Sequence, residues 1–88
     1  MTEYRVRNIS EYQDGVVSCD INNTLVPVMP VTVGRSIAAV LASGQIWVTS
    51  PVQAIYRLLD FPVHDPQKRW FLAKTKNSWY MYEGASIV

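Results

Sequence analysis

The stretch GQIWVTSPVQAIYRLLD, Gly44 to Asp60, constrains this chain more than any other. It opens with alternation: Ile46 and Val48 on one side, Trp47 on the other. A capping signal follows. Ser50 suits an N-cap, Pro51 sits where a first-turn proline is tolerated, and Gln53 completes an S-x-x-Q capping box. Val52, Ile55, Tyr56 and Leu59 then fall at i, i+3, i+4 and i+7, and Leu58 widens the stripe. The spacing predicts a strand, a tight corner and an amphipathic helix, with the neighbouring segments serving to cover its apolar surface.

The chain has 88 residues, enough for one domain spanning 1–88. Hydrophobic residues make up 49% and charged residues 17%, where about a quarter charged is usual for a soluble domain. That imbalance predicts apolar surface left over once the core is filled, and hence a partner or an oligomer to cover it. The net charge of +1 argues against a generally basic nucleic-acid binder. The single cysteine, Cys19, permits no internal disulfide and fits a reducing compartment. The opening MTEYRVRNIS contains no apolar core of a secretory signal. The longest apolar run, Leu25 to Val33, is too short for a membrane helix and holds Pro27 and Pro30. No membrane partner is therefore expected.

Before the central stretch, residues 3–9 alternate, with Tyr4 and Val6 opposite Arg5 and Arg7. Gln13-Asp14-Gly15 reads as a turn, and Val17, Cys19 and Ile21 share one strand face. Asn22-Asn23 suits a hairpin turn. Leu25 to Val31 reads as an edge strand or connector because of its prolines. Gly34 to Ser43 predicts a second helix from the stripe Val33, Ile37, Val40 and Leu41 and from its alanines, with Gly44 closing it. The C-terminal part predicts a hairpin, with arms near Arg69–Thr75 and Trp79–Glu83 and a turn at Lys76-Asn77-Ser78. Ile87 is expected to tuck against the body or a neighbour. The expected fold is α+β: a small antiparallel sheet of about five strands with two short helices, in the order β-β-(β)-α-β-α-β-β.

Chemistry has few candidates. His64, the only histidine, lies between Asp60 and Asp65, but the spacing matches no recurring metal motif and reads as a solvated loop histidine. Cys19 stands beside Asp20, which would raise rather than lower a thiol pKa, so it reads as core. No nucleophile elbow, zinc-protease, paired-cysteine, phosphate-loop or dinucleotide signature occurs. The expectation is a protein that is not an enzyme, with no catalytic, metal or cofactor site. The C-terminal hairpin carries the functional signal. Arg69, Trp70, Phe71, Trp79, Tyr80 and Tyr82 form the expected protein interface, being the residue types that usually anchor one. The alternative is single-stranded nucleic acid held by Lys68, Arg69, Lys74 and Lys76 with stacking on the aromatics.

One stretch resembles a known module. Tyr12 to Ile21 (YQDGVVSCDI) runs into Asn22-Asn23, then Val26-Pro27-Val28, then Ala42-Ser43-Gly44. Through Gly15, Cys19, Ile21, Asn22, Pro27 and Gly44, residues 12–44 resemble a short module of tailed-bacteriophage tail and tail-fibre-associated proteins. That module places a turn glycine, a strand, a proline-containing strand and a helix closing on Ala-Gly in this order. Val31-Thr32-Val33 stands where the module usually has acidic residues before the helix. The resemblance implies a phage origin and carries no catalytic residues. With the leftover apolar surface it gives the leading expectation: a small virion component of tail or capsid, self-associating or held by neighbours, in the host cytoplasm or the particle and not secreted. The alternative is a small inhibitor that binds and blocks a host protein such as a defence or transcription factor.

Overall fold

A computed structural model describes residues 2–9, 11–20, 24–62 and 65–85. Among these residues every regular element is a strand: β1 Thr2–Asn8, β2 Gln13–Cys19, β3 Thr24–Leu25, β4 Ser36–Val40, β5 Ile46–Leu58, β6 Lys68–Thr75 and β7 Trp79–Ala85. Hydrogen bonding joins them in the order β2-β1-β5-β6-β7-β3, with β4 on the first half of β5. All these pairings are antiparallel except β3 with β7.

The sheet curls into a half-barrel, and the chain after β3 reaches across its mouth. Pro27 bridges to Ala39 of β4. The Val28 N–H donates to Ala38 O (2.9 Å), and the Val40 N–H donates to Val26 O (3.3 Å). Pairing therefore runs from β4 through β5, β6, β7 and β3 and returns to β4. Inside the curl lies one core: Leu25, Ile37, Ala39, Val52, Ile55, Phe71, Ala73, Tyr80 and Tyr82. The opposite face carries a second core of Val6, Cys19, Leu58 and Leu72, bordered by half-buried Tyr4, Tyr56, Phe61, Trp70 and Trp79. β6 lies between the two, so its consecutive residues Phe71, Leu72 and Ala73 are all buried. A strand covered on both sides needs apolar residues without alternation, for the reason that holds in buried parallel sheets.

The α+β expectation is corrected: both helices are strands. The three-residue spacing in β5 is real, but bulges produce it. Ser36 pairs with Pro51 and Ala38 with Val48, so β5 spends an extra residue near Thr49-Ser50. Val52 pairs with Thr75 and Ala54 with Lys74, which leaves Gln53 as a second extra residue. Each bulge resets the alternation. Thr49, Val52 and Ile55 are thereby buried at steps of three, and Leu58 adds a fourth step by entering the other core. The first bulge leaves the Ile37 N–H facing no carbonyl of β5, and the Thr49 hydroxyl accepts it at 3.0 Å while donating to Ser50 O at 2.7 Å. Pro51 falls where β5 changes partner from β4 to β6, and bulges and ladder ends are where a strand tolerates proline.

The expected helix over 34–43 fails for a related reason. Ile37 and Ala39 point inward, while Val33, Val40 and Leu41 of the supposed stripe are exposed. Period two wins over the helix propensity of the alanines because pairing on both sides of β4 satisfies its backbone. Gly44 serves a hairpin turn rather than a helix end. Its φ is +85°, its N–H donates to Leu41 O, and the Leu41 N–H donates to Gln45 O, each at 2.8 Å. The turn expected at Gln13-Asp14-Gly15 lies earlier, where Tyr12 has φ +56° and its N–H meets Asn8 O at 2.7 Å. The C-terminal hairpin forms where the spacing places it. The expectations for Ile21, Asn22-Asn23, His64 and Ile87 fall outside the described residues.

Candidate interaction surface

The sequence directs attention to the β6–β7 hairpin, and the structure turns much of that hairpin inward. Phe71 is 1% exposed, and it stacks on Tyr82 with ring centroids 5.4 Å apart. Tyr80 is buried against the edge of Trp47 at 5.5 Å. Phe71, Tyr80 and Tyr82 are thus core residues and offer no contact surface. Arg69, Trp70 and Trp79 are half-buried. Trp70 meets Phe61, and Trp79 meets Tyr56.

The basic set is similarly occupied. Lys68 Nζ lies 3.9 Å from Glu83 Oε1. Arg69 Nη1 donates to the carbonyls of Pro66 (3.0 Å) and Lys68 (2.7 Å). Lys74 Nζ sits over the Trp79 ring at 5.7 Å, a cation–π contact. Lys76 is exposed in the turn. Three of the four cations expected to meet phosphates thus face groups of the chain itself. The rings expected to stack on bases are buried or half-buried.

Apolar surface is instead exposed on a part of the chain that sequence reasoning took for a connector and a helix. Pro27 opposite Ala39 places Val26 opposite Val40 and Val28 opposite Ala38. β5 continues both rows, pairing Val40 with Ile46 and Ala38 with Val48. Two cross-strand rows result, Val26–Val40–Ile46 and Val28–Ala38–Val48. Cross-strand neighbours on one face stand close enough to form continuous surface. The five large side chains of these rows range from 40% exposed (Val40) to 69% (Val26). Leu41 and Met29 extend the patch. The intervening Ala39 points the other way, into the core, and Trp47 turns to Tyr80.

This aliphatic wall is nearly free of charge. Between Asp20 and Arg57 the only ionised side chain is Arg35. Because β4 is paired on both sides, the wall is a sheet face and not an open edge, so a partner must be gripped by side chains rather than by adding a strand. Isolated exposed aliphatics are ordinary on proteins, but a contiguous patch of several hundred Å² marks contact sites. The signal was legible as alternation: Val26/Val28 and Ile46/Val48 each repeat at two, and both flank Val40 in a region short of charge.

The remaining chemistry is sparse. Burial, helped by Asp20, pushes the Cys19 thiol above its ordinary range, so it stays protonated and apolar. Among the described residues, no three His, Cys, Asp or Glu side chains converge to hold a metal. Also among these residues, no helix is long and apolar enough to cross a membrane. Comparison with protein-family models, curated proteins and solved structures finds no match to the chain.

Proposed function

We propose that this chain is a non-enzymatic interaction protein that docks a protein partner through the aliphatic wall of Val26, Val28, Val40, Ile46 and Val48. The observation that carries this reading is the wall itself: two adjoining rows of exposed aliphatic side chains in a region with one ionised residue. Water is a poor neighbour for such a face, and covering it stabilises any complex by about 25 cal/mol per Å² of apolar area removed. Within this reading, the partner is a subunit of a bacteriophage particle, the chain being a small tail or capsid accessory. That placement comes from the resemblance over residues 12–44, in which a strand replaces the expected helix.

The test pairs native mass with particle composition. The isolated chain should self-associate or be recovered in purified particles at fixed stoichiometry. The substitution Ile46→Glu should abolish that behaviour and leave the fold intact by circular dichroism. A chain absent from particles that captures a single host protein through the same wall would favour the inhibitor. A strict monomer whose behaviour is unchanged by Ile46→Glu would defeat the wall as an interface.

A further inference from the structure

Behind the wall, on the inner side of the same segment, lies an open cleft of about 320 Å³ lined by Pro27, Met29, Pro30, Val31, Phe71, Tyr82, Glu83 and Gly84. Its lining is mainly apolar, and Gly84 keeps one side of it low. A Cβ at Gly84 would stand 3.6 Å from Tyr82 Cε2 and 3.8 Å from Phe71 Cε2. The Tyr82 ring therefore lies alongside Gly84. Tyr82 is 5% exposed, and its hydroxyl oxygen is buried without a hydrogen-bond partner among the described residues. Buried hydroxyls almost always find a partner, because leaving one unmade costs about as much as several good contacts supply. Burial also raises the phenol pKa, so at neutral pH the group is an O–H donor and not a phenolate.

We infer that this cleft is a binding site for a small, neutral, largely apolar molecule that presents a carbonyl oxygen to the Tyr82 hydroxyl. Three features specify that chemistry. The apolar lining of Pro27, Met29, Val31 and Phe71 disfavours a charged body. The one unsatisfied polar group inside is a donor, so the ligand must bring an acceptor. Glu83 at the cleft, 3.9 Å from Lys68 Nζ, repels an anion and so excludes a carboxylate as that acceptor. The size fits a one-ring molecule with room to spare, since an apolar cavity of about 150 Å³ suffices for benzene. A mostly apolar pocket with few placed polar groups is the usual form of a small-molecule site. This site faces away from the aliphatic wall and does not depend on it.

Acetophenone and ethylbenzene make the test, since they share a shape and differ in the carbonyl. Each is titrated into the ¹⁵N-labelled full chain while the amide resonances of Met29, Gly84 and their neighbours are followed. Acetophenone should shift those resonances and bind roughly fivefold more tightly than ethylbenzene, the worth of one neutral hydrogen bond. Tyr82→Phe should keep the fold and erase the preference. Gly84→Leu should fill the cleft and weaken both probes. Equal or tighter binding of ethylbenzene to the unmodified chain would overturn the proposal. So would shifts confined to other residues, no shift with either probe, or a preference that survives in Tyr82→Phe.

Discussion

The β6–β7 hairpin and the wall formed by Val26–Val28, β4 and the first half of β5 are both rich in apolar residues, yet they have opposite fates. The hairpin lies in the middle of the sheet, between two cores, and its large rings are absorbed. The wall lies where the half-barrel is bridged, with one face inward and nothing among the described residues packed on the other. Hydrophobicity alone does not separate them. What separates them is how many faces of each strand the topology covers: two for β6, one for β4. Cations follow the same logic, gathering on the hairpin, where they border buried aromatics, and avoiding the wall.

That contrast can be broken by substitution. Phe71→Ala should cost about 3–5 kcal/mol, the usual price of truncating a buried aromatic, and Ile46→Ala on the wall about 0.5 kcal/mol or less. Urea denaturation reads both, and equal losses would erase the distinction between the regions. Thr49→Val comes next. It keeps the shape but leaves the buried Ile37 N–H unpaired, a loss of about 1–3 kcal/mol. Faster hydrogen exchange at the Ile37 amide would accompany it. Tyr82→Phe should move the other way, raising stability by roughly 1 kcal/mol, because it deletes a hydroxyl that bonds to nothing. A destabilised Tyr82→Phe would show that the hydroxyl has a partner.

The smallest effect belongs to the far edge of the sheet. Arg7 pairs directly with Asp14 on one side and with Arg57 on the other. The hydrogen bond from Arg7 Nε, at 2.9 Å, holds the Asp14 carboxyl below the usual carboxylate range. A group with a lowered folded pKa contributes stability above its unfolded pKa and loses it as pH falls through the folded value. The contribution is thus complete at neutral pH and disappears in acid, where Arg7 and Arg57 face each other uncompensated. Both partners are solvent-exposed, so the shift in urea midpoint should be slight. Asp14→Asn should show it already at neutral pH and lose the acid dependence.

Some of this architecture was legible before folding. Residues 3–9 and the two C-terminal arms alternate openly, and their strands lie within a residue or two of the expected bounds. The helices were misread because β5 imitates one. Its bulges convert a period of two into steps of three, and no local propensity reveals a bulge that pairing with β4 and β6 creates. The interface residues were misjudged for a similar reason. Trp70, Phe71, Tyr80 and Tyr82 look alike in the sequence. Phe71, Tyr80 and Tyr82 turn into the curl, and Trp70 stays half-buried on the other face. The wall was hidden because Leu25 to Val33 reads as one apolar run until its residues are sorted by side.

Gln53 has a consequence out of proportion to its exposed, unremarkable side chain. As the surplus residue opposite β6, it sets the phase of everything downstream in β5. Deleting it would turn the remainder of that strand over. Tyr56 and Leu58 would then swap sides with Ile55 and Arg57, driving a guanidinium toward one oily interior and stranding the leucine that closes the other. One glutamine thus works as the keyway that lets a single continuous strand serve two interiors at once.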